Sequence, residues 1–281
     1  MKAISVKPML YLDTGVLSTF MHSNTPLNDF TLVYSDAHLL DWKNADNPTP
    51  ELDFLSSQNA LHLSQRDDKV LASPKDANLA FQQVTDFDVA PMGKLWAMMH
   101  GGGADQNAEI TMQSIIRELT GVPVSFDSQA ISPYQKDRRL SIRDIDQVWA
   151  RTESQVKKQY PSDDQNPINT IAHSLCGDDL REFQKAFPEN LTSFSEIQIA
   201  CGVLSLMGIG QSKGLRKQKP IAAEAGEHDY IDCQHIAFGL HCDAFITADV
   251  ATAEKATYLS NYWNLRTVIC LREKIRRPEA P

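Results

Sequence analysis

Two short apolar runs near opposite ends of the sequence, Met9-Leu-Tyr-Leu12 and Ala244-Phe-Ile-Thr247, lead into aspartates, Asp13 and Asp249. The second run closes a longer segment, His228 to Asp249, that reads as an amphipathic helix carrying Asp232, a tight turn, a short buried strand and a terminal acid. Runs that are apolar at almost every position suit parallel strands covered on both faces. Acids so far apart in the chain meet only if their strands lie side by side. Ligands of open parallel sheets bind beyond the carboxyl ends of the strands.

Strand signals fall at 9–13, 31–35, 244–247 and 265–271. The first three are followed by helical patterns at 16–21, 37–43 and 251–263. This alternation predicts an α/β fold, a three-layer α/β/α sandwich with a short parallel sheet and right-handed crossovers. Asp13, Asp36 and Asp249 all fall at its carboxyl edge. Residues 1–43 and 227–281 form this core, and 44–226 read as a large helical elaboration packed on it. Helical patterns there span 108–119, 142–160, 178–187 and 194–206, the last opened by a capping box, Ser193 and Glu196.

Clustered carboxylates at a strand edge suit Mg²⁺ or Mn²⁺ chemistry on phosphodiesters. Such cleavage needs an in-line water and stabilisation of charge growing on phosphate oxygens. Mg²⁺ prefers carboxylate oxygen and keeps several waters, so three or four acids make an adequate cradle. Asp13, Asp232 and Asp249 are the principal candidates, and Thr247 is placed to position the attacking water or a carboxylate. Close carboxylates repel without a cation, which predicts a raised pKa for at least one. Asp13, Asp36 and Asp249 are each also ordinary helix N-caps. Asp232, in mid-helix, has no such role, while Asp229, one turn earlier, is either a further ligand or the helix's acidic first turn, the second being the better reading.

Three motifs carry a family resemblance. Tyr11-Leu-Asp-Thr-Gly-Val-Leu17 resembles the opening of PIN-domain ribonucleases. Asp232-Cys-Gln-His-Ile-Ala237 followed by Phe245-Ile-Thr-Ala-Asp249 is similar to that family's closing pair, and Val33-Tyr-Ser-Asp-Ala-His-Leu-Leu-Asp41 resembles its second strand and helix. The resemblance covers 1–43 and 227–281. It implies a metal-dependent endonuclease acting on RNA, single-stranded or structured, with Asp41 completing the ligand set. The family more often has Glu at the Asp41 position and Asn or Ser at the Gly15 position. A shorter acid leaves open whether Asp41 reaches metal through water or Asp36 takes its place.

Other features are less telling. Lys213, Arg216, Lys217 and Lys219 form either a phosphate-binding loop or a solvated basic one. Trp96 and Trp149 read as core rather than base-stacking residues. His228, Asp232 and His235 share a helical ridge, but no third histidine stands at a convincing spacing, so His235 reads as packed or hydrogen-bonded. A net charge of −9 argues against adhesion to nucleic acid through the whole surface. Five cysteines without a C-x-x-C pair exclude a zinc framework and suit reduced thiols in a cytoplasmic protein. No run reaches membrane-spanning length.

Two other functions compete. A haloacid-dehalogenase-like phosphatase needs a second acid two residues after its nucleophile, where this chain has Gly15. A PIN-like interaction or scaffold protein without turnover keeps the fold and loses the chemistry. A protein regulator and a homodimer interface are compatible with the long middle region.

Overall fold

The computed structural model describes residues 7–23, 27–43, 45–66, 69–84, 88–99, 194–206 and 223–272. The chain divides into two compact units, Met1–Asp88 with Gln234–Pro281, and Val89–Cys233. The helical patterns expected at 108–119, 142–160 and 178–187, together with Trp149, Ser193 and the basic loop of Lys213, Arg216, Lys217 and Lys219, lie outside the described residues.

The first unit is α/β. Its sheet has six strands, β1 (Met9–Leu12), β2 (Thr31–Ser35), β3 (Leu61–Arg66), β4 (Lys69–Pro74), β5 (Ala244–Thr247) and β6 (Val268–Leu271), in the order β4-β3-β2-β1-β5-β6. All pairs are parallel except β3 with β4. The helices are α1 (Thr14–Ser23), α2 (Asp36–Lys43), α3 (Thr49–Ser57), α4 (Ala77–Val84), α7 (Ala223–Gly239), which crosses into it from the second unit, and α8 (Val250–Tyr262).

Register explains how β1 organises the core. Leu10 pairs with Leu32 and Ala244, while Tyr11 pairs with Val33 and Phe245. Successive side chains on a strand point to opposite faces. Leu10 and Leu12 accordingly join a buried cluster with Val16, Leu17, Leu39 and Leu55. Tyr11 takes the other face, with its ring edge-on to Phe245 at 5.6 Å. Both rings are fully buried.

The expected strands at 31–35 and 244–247 and the helices after β1, β2 and β5 are present. Residues 45–84, expected within a helical elaboration, instead add β3 and β4 to the sheet, flanked by α3 and α4. These strands carry exposed Gln65, Arg66 and Lys69 and so lack the continuous apolarity of a covered parallel strand. The strand expected from 265 begins at Val268, because Asn264 first reverses the chain. Asn264 and Asn59 both adopt a left-handed conformation (φ 51° and 50°), which asparagine tolerates better than most residues. At each, paired backbone bonds cap the preceding helix: Asn59 N–H to Ser56 O and Ala60 N–H to Leu55 O, and Asn264 N–H to Asn261 O and Leu265 N–H to Ser260 O.

The second unit contains α5 (Ala90–Met99), α6 (Phe194–Leu206) and α7 as far as Cys233. Trp96 is buried there. Its Nε1–H donates to Asp229 Oδ2 at 2.7 Å, and its ring lies edge-on to Tyr230. Gly202 admits this ring, since a Cβ at that position would stand 2.7 Å from it. Asp229 is thus a buried acceptor and not the first-turn acid expected from sequence. The helix begins at Ala223, so Asp229 falls in its second turn. No helix among the described residues is long and apolar enough to cross a membrane.

Candidate active site at the carboxyl edge of the sheet

Strands β1, β2 and β5 end together, and each delivers polar groups to the same edge. Asp13 follows β1. Its backbone N–H donates to Ile246 O and its carbonyl accepts from the Val16 and Leu17 amides, which starts α1. Asp13 Oδ2 accepts from Thr247 Oγ1 at 2.5 Å. Thr247, fully buried, also accepts the Asp249 N–H at 3.0 Å. One hydroxyl therefore binds the carboxylate of Asp13 and the backbone N–H of Asp249. Asp249 caps α8, its Oδ1 accepting from Thr252 N–H at 2.9 Å. The capping reading holds for Asp249, while the side chain of Asp13 serves Thr247.

Asp41 arrives from α2. Its Oδ2 accepts from Thr14 Oγ1 at 2.6 Å and stands 3.0 Å from His235 Nε2. Thr14 is the residue after Asp13, so the Asp41 side chain sits beside the end of β1. Its side chain is 31% exposed, against 3% for His235, so the acid meets solvent while its partner does not. Asp36 points elsewhere: its Oδ1 lies 2.9 Å from His62 Nε2 on β3. Of the two candidates for the second acid, Asp41 is the one bound to Thr14, the residue after Asp13.

Behind the acids runs a buried polar chain that sequence reasoning missed. His235 Nδ1 is 2.8 Å from the Tyr11 hydroxyl, which is 2.7 Å from Ser35 Oγ. Ser35 N–H donates to His38 Nδ1 at 3.1 Å, so His38 carries its proton on Nε2 and donates it to Leu12 O at 2.6 Å. The only signals for this chain were a tyrosine hydroxyl inside an apolar run and two histidines near the acids. A buried tyrosine hydroxyl usually finds a partner.

Burial pushes the Tyr11 hydroxyl pKa well up, and burial with the neighbouring His235 pulls His38 down to about 3. Burial alone would raise Asp41, but the hydrogen bonds from His235 and Thr14 outweigh it and hold Asp41 below its ordinary value. The rise expected from mutual repulsion of carboxylates is thus reversed at Asp41, because its nearest neighbours are donors.

Asp232 lies on α7, exposed, one turn before His235, and belongs to the second unit. His228 is exposed on the same helix.

Among the described residues no three His, Cys, Asp or Glu side chains are grouped closely enough to hold a metal ion. The donor set still suits a hydrated hard cation. Mg²⁺ keeps several waters and is commonly held by one or two carboxylates plus substrate phosphate, with no all-protein cage. Asp13, Asp41 and Asp249 each have one oxygen fixed by a protein donor, as oriented ligands do. No protein-family model matches the chain, and no curated protein or solved structure matches it.

Proposed function

We propose that the chain is a divalent-metal-dependent endonuclease of PIN-like, three-layer architecture that hydrolyses phosphodiester bonds, with RNA as its substrate. One observation carries the reading: the Asp13 carboxylate and the Asp249 backbone share Thr247, and Asp41 joins the same edge through Thr14. Capping needs none of this convergence. A helix N-cap is complete within its own first turn.

Asp13, Asp41 and Asp249 would hold Mg²⁺ or Mn²⁺, which when bound neutralises phosphate charge and lowers the pKa of a bound water. The protein's own contribution is orientation. Thr247 fixes Asp13, Thr14 and His235 fix Asp41, and the first turn of α8 fixes Asp249. These three acids lie in the first unit; Asp232, a principal ligand candidate from the sequence, belongs to the second.

The test is cleavage of single-stranded RNA and DNA with Mg²⁺, with Mn²⁺ and with chelator, for wild type, Asp13→Asn and Asp249→Asn. Asparagine caps helices as well as aspartate and still accepts a hydroxyl hydrogen bond, so both variants should fold. Wild type is expected to cut RNA only with the cation, and each variant to lose most of that activity. A wild type that cuts neither polymer, or variants that cut as it does, would favour a PIN-like scaffold without turnover.

A further inference from the structure

We propose that His235 is a positioning residue for Asp41, held in its working tautomer by Tyr11. The inference deepens the nuclease reading and rests on it for the identity of the ion.

The partners assign the protons. A carboxylate only accepts, so the His235 nitrogen facing Asp41, Nε2, carries a hydrogen. The other nitrogen, Nδ1, faces the Tyr11 hydroxyl at 2.8 Å. That hydroxyl donates to Nδ1 and accepts from Ser35 Oγ–H on its other side. Tyr11 cannot swing away. It is fully buried on the central strand, with Phe245 edge-on at 5.6 Å and His38 tilted against it at 4.8 Å.

The consequence falls on Asp41. Thr14 and His235 both bind Oδ2, from α1 and α7 respectively. Two donors from different elements on one oxygen fix the carboxylate's rotation, so Oδ2 faces the protein and Oδ1 is left for a ligand. A core histidine needs only satisfied nitrogens. His235 instead links a buried central strand of the sheet to a partly exposed acid at its edge, as histidine and its partners do when they orient a ligand from behind.

Two measurements test this on the full chain at fixed pH, with thermal melts confirming folding. ¹⁵N spectra of the imidazoles should show wild-type His235 as the Nε2–H tautomer and a mixed population in Tyr11→Phe. Mn²⁺ binding, read from the free-ion EPR signal, should weaken about 10–100-fold in His235→Ala. It should also weaken in Tyr11→Phe and return near wild type in His235→Gln, whose side-chain N–H replaces Nε2–H. An Nδ1–H tautomer in wild type overturns the proposal, as does His235→Gln binding no better than His235→Ala. If His235→Ala does not fold, Tyr11→Phe matching wild type in both spectrum and binding has the same force. A wild type that binds no Mn²⁺ sinks the nuclease reading, whereas the tautomer spectra still decide the positioning.

Discussion

Replacing Thr247 by valine isolates the hydroxyl that joins two acids. The side chain is fully buried and valine nearly matches its volume, so little cavity or strain arises. What disappears is the donor to Asp13 Oδ2 at 2.5 Å and the acceptor for Asp249 N–H at 3.0 Å. A hydrogen bond to a charged group contributes about 1.5–3 kcal/mol, and a buried amide left without its acceptor costs about 1–3 kcal/mol. Asp249 is exposed, so water recovers part of the second loss. The expected net destabilisation is about 2–4 kcal/mol. Thr247→Ser is the matched control. It keeps both bonds and loses one methyl, at about 1 kcal/mol. Urea unfolding followed by tryptophan fluorescence should rank wild type above serine and serine above valine, with similar m-values. A valine variant as stable as the serine variant would refute the reasoning, because packing and not the hydroxyl would then be what Thr247 supplies.

Two further outcomes follow from the same core. Gly239→Ala places a methyl 2.7 Å from the buried Phe245 ring, so overpacking should cost about 1–3 kcal/mol despite alanine's better helix propensity; an unchanged or raised melting temperature would contradict it. Burial keeps His38 neutral down to about pH 3, whereas in the unfolded chain it takes a proton near 6.5. The unfolded state then binds more protons between those values, so stability falls on acidification through that window, by about 1.4 kcal/mol per pH unit from this group. Unfolding free energies at pH 7, 6 and 5 should show a shallower slope in His38→Gln, which keeps a donor for Leu12 O, and an equal slope would remove His38 as the cause.

The central strands were legible because covered parallel strands must be apolar throughout, and Met9–Leu12, Thr31–Ser35 and Ala244–Thr247 nearly are. The pair β3 and β4 was not, since outer strands keep polar residues such as Gln65 and Lys69. That miss spread to the site. Asp36 was a rival to Asp41 because an aspartate reaches less far than glutamate, and the partner that occupies it, His62, sits on the overlooked β3. Asp13, Asp41, Thr247 and Asp249 could be named from their places at strand and helix ends. The chain from Tyr11 through Ser35 to His38 could not, because its pairings depend on the register of β1 against β2. Asp229 was misjudged through a helix start placed too late.

Strand β1 takes one neighbour, β2, from nearby sequence and the other, β5, from close to the far end of the chain. During synthesis the ribosome must therefore deliver the whole Val89–Cys233 unit before β1 can be closed on that side. Until then its unpaired amides and carbonyls form an open edge able to recruit strands from other nascent chains. Long-range pairing of this kind also slows folding. The order of synthesis thus leaves this edge of β1 open longer than the edge that β2 covers.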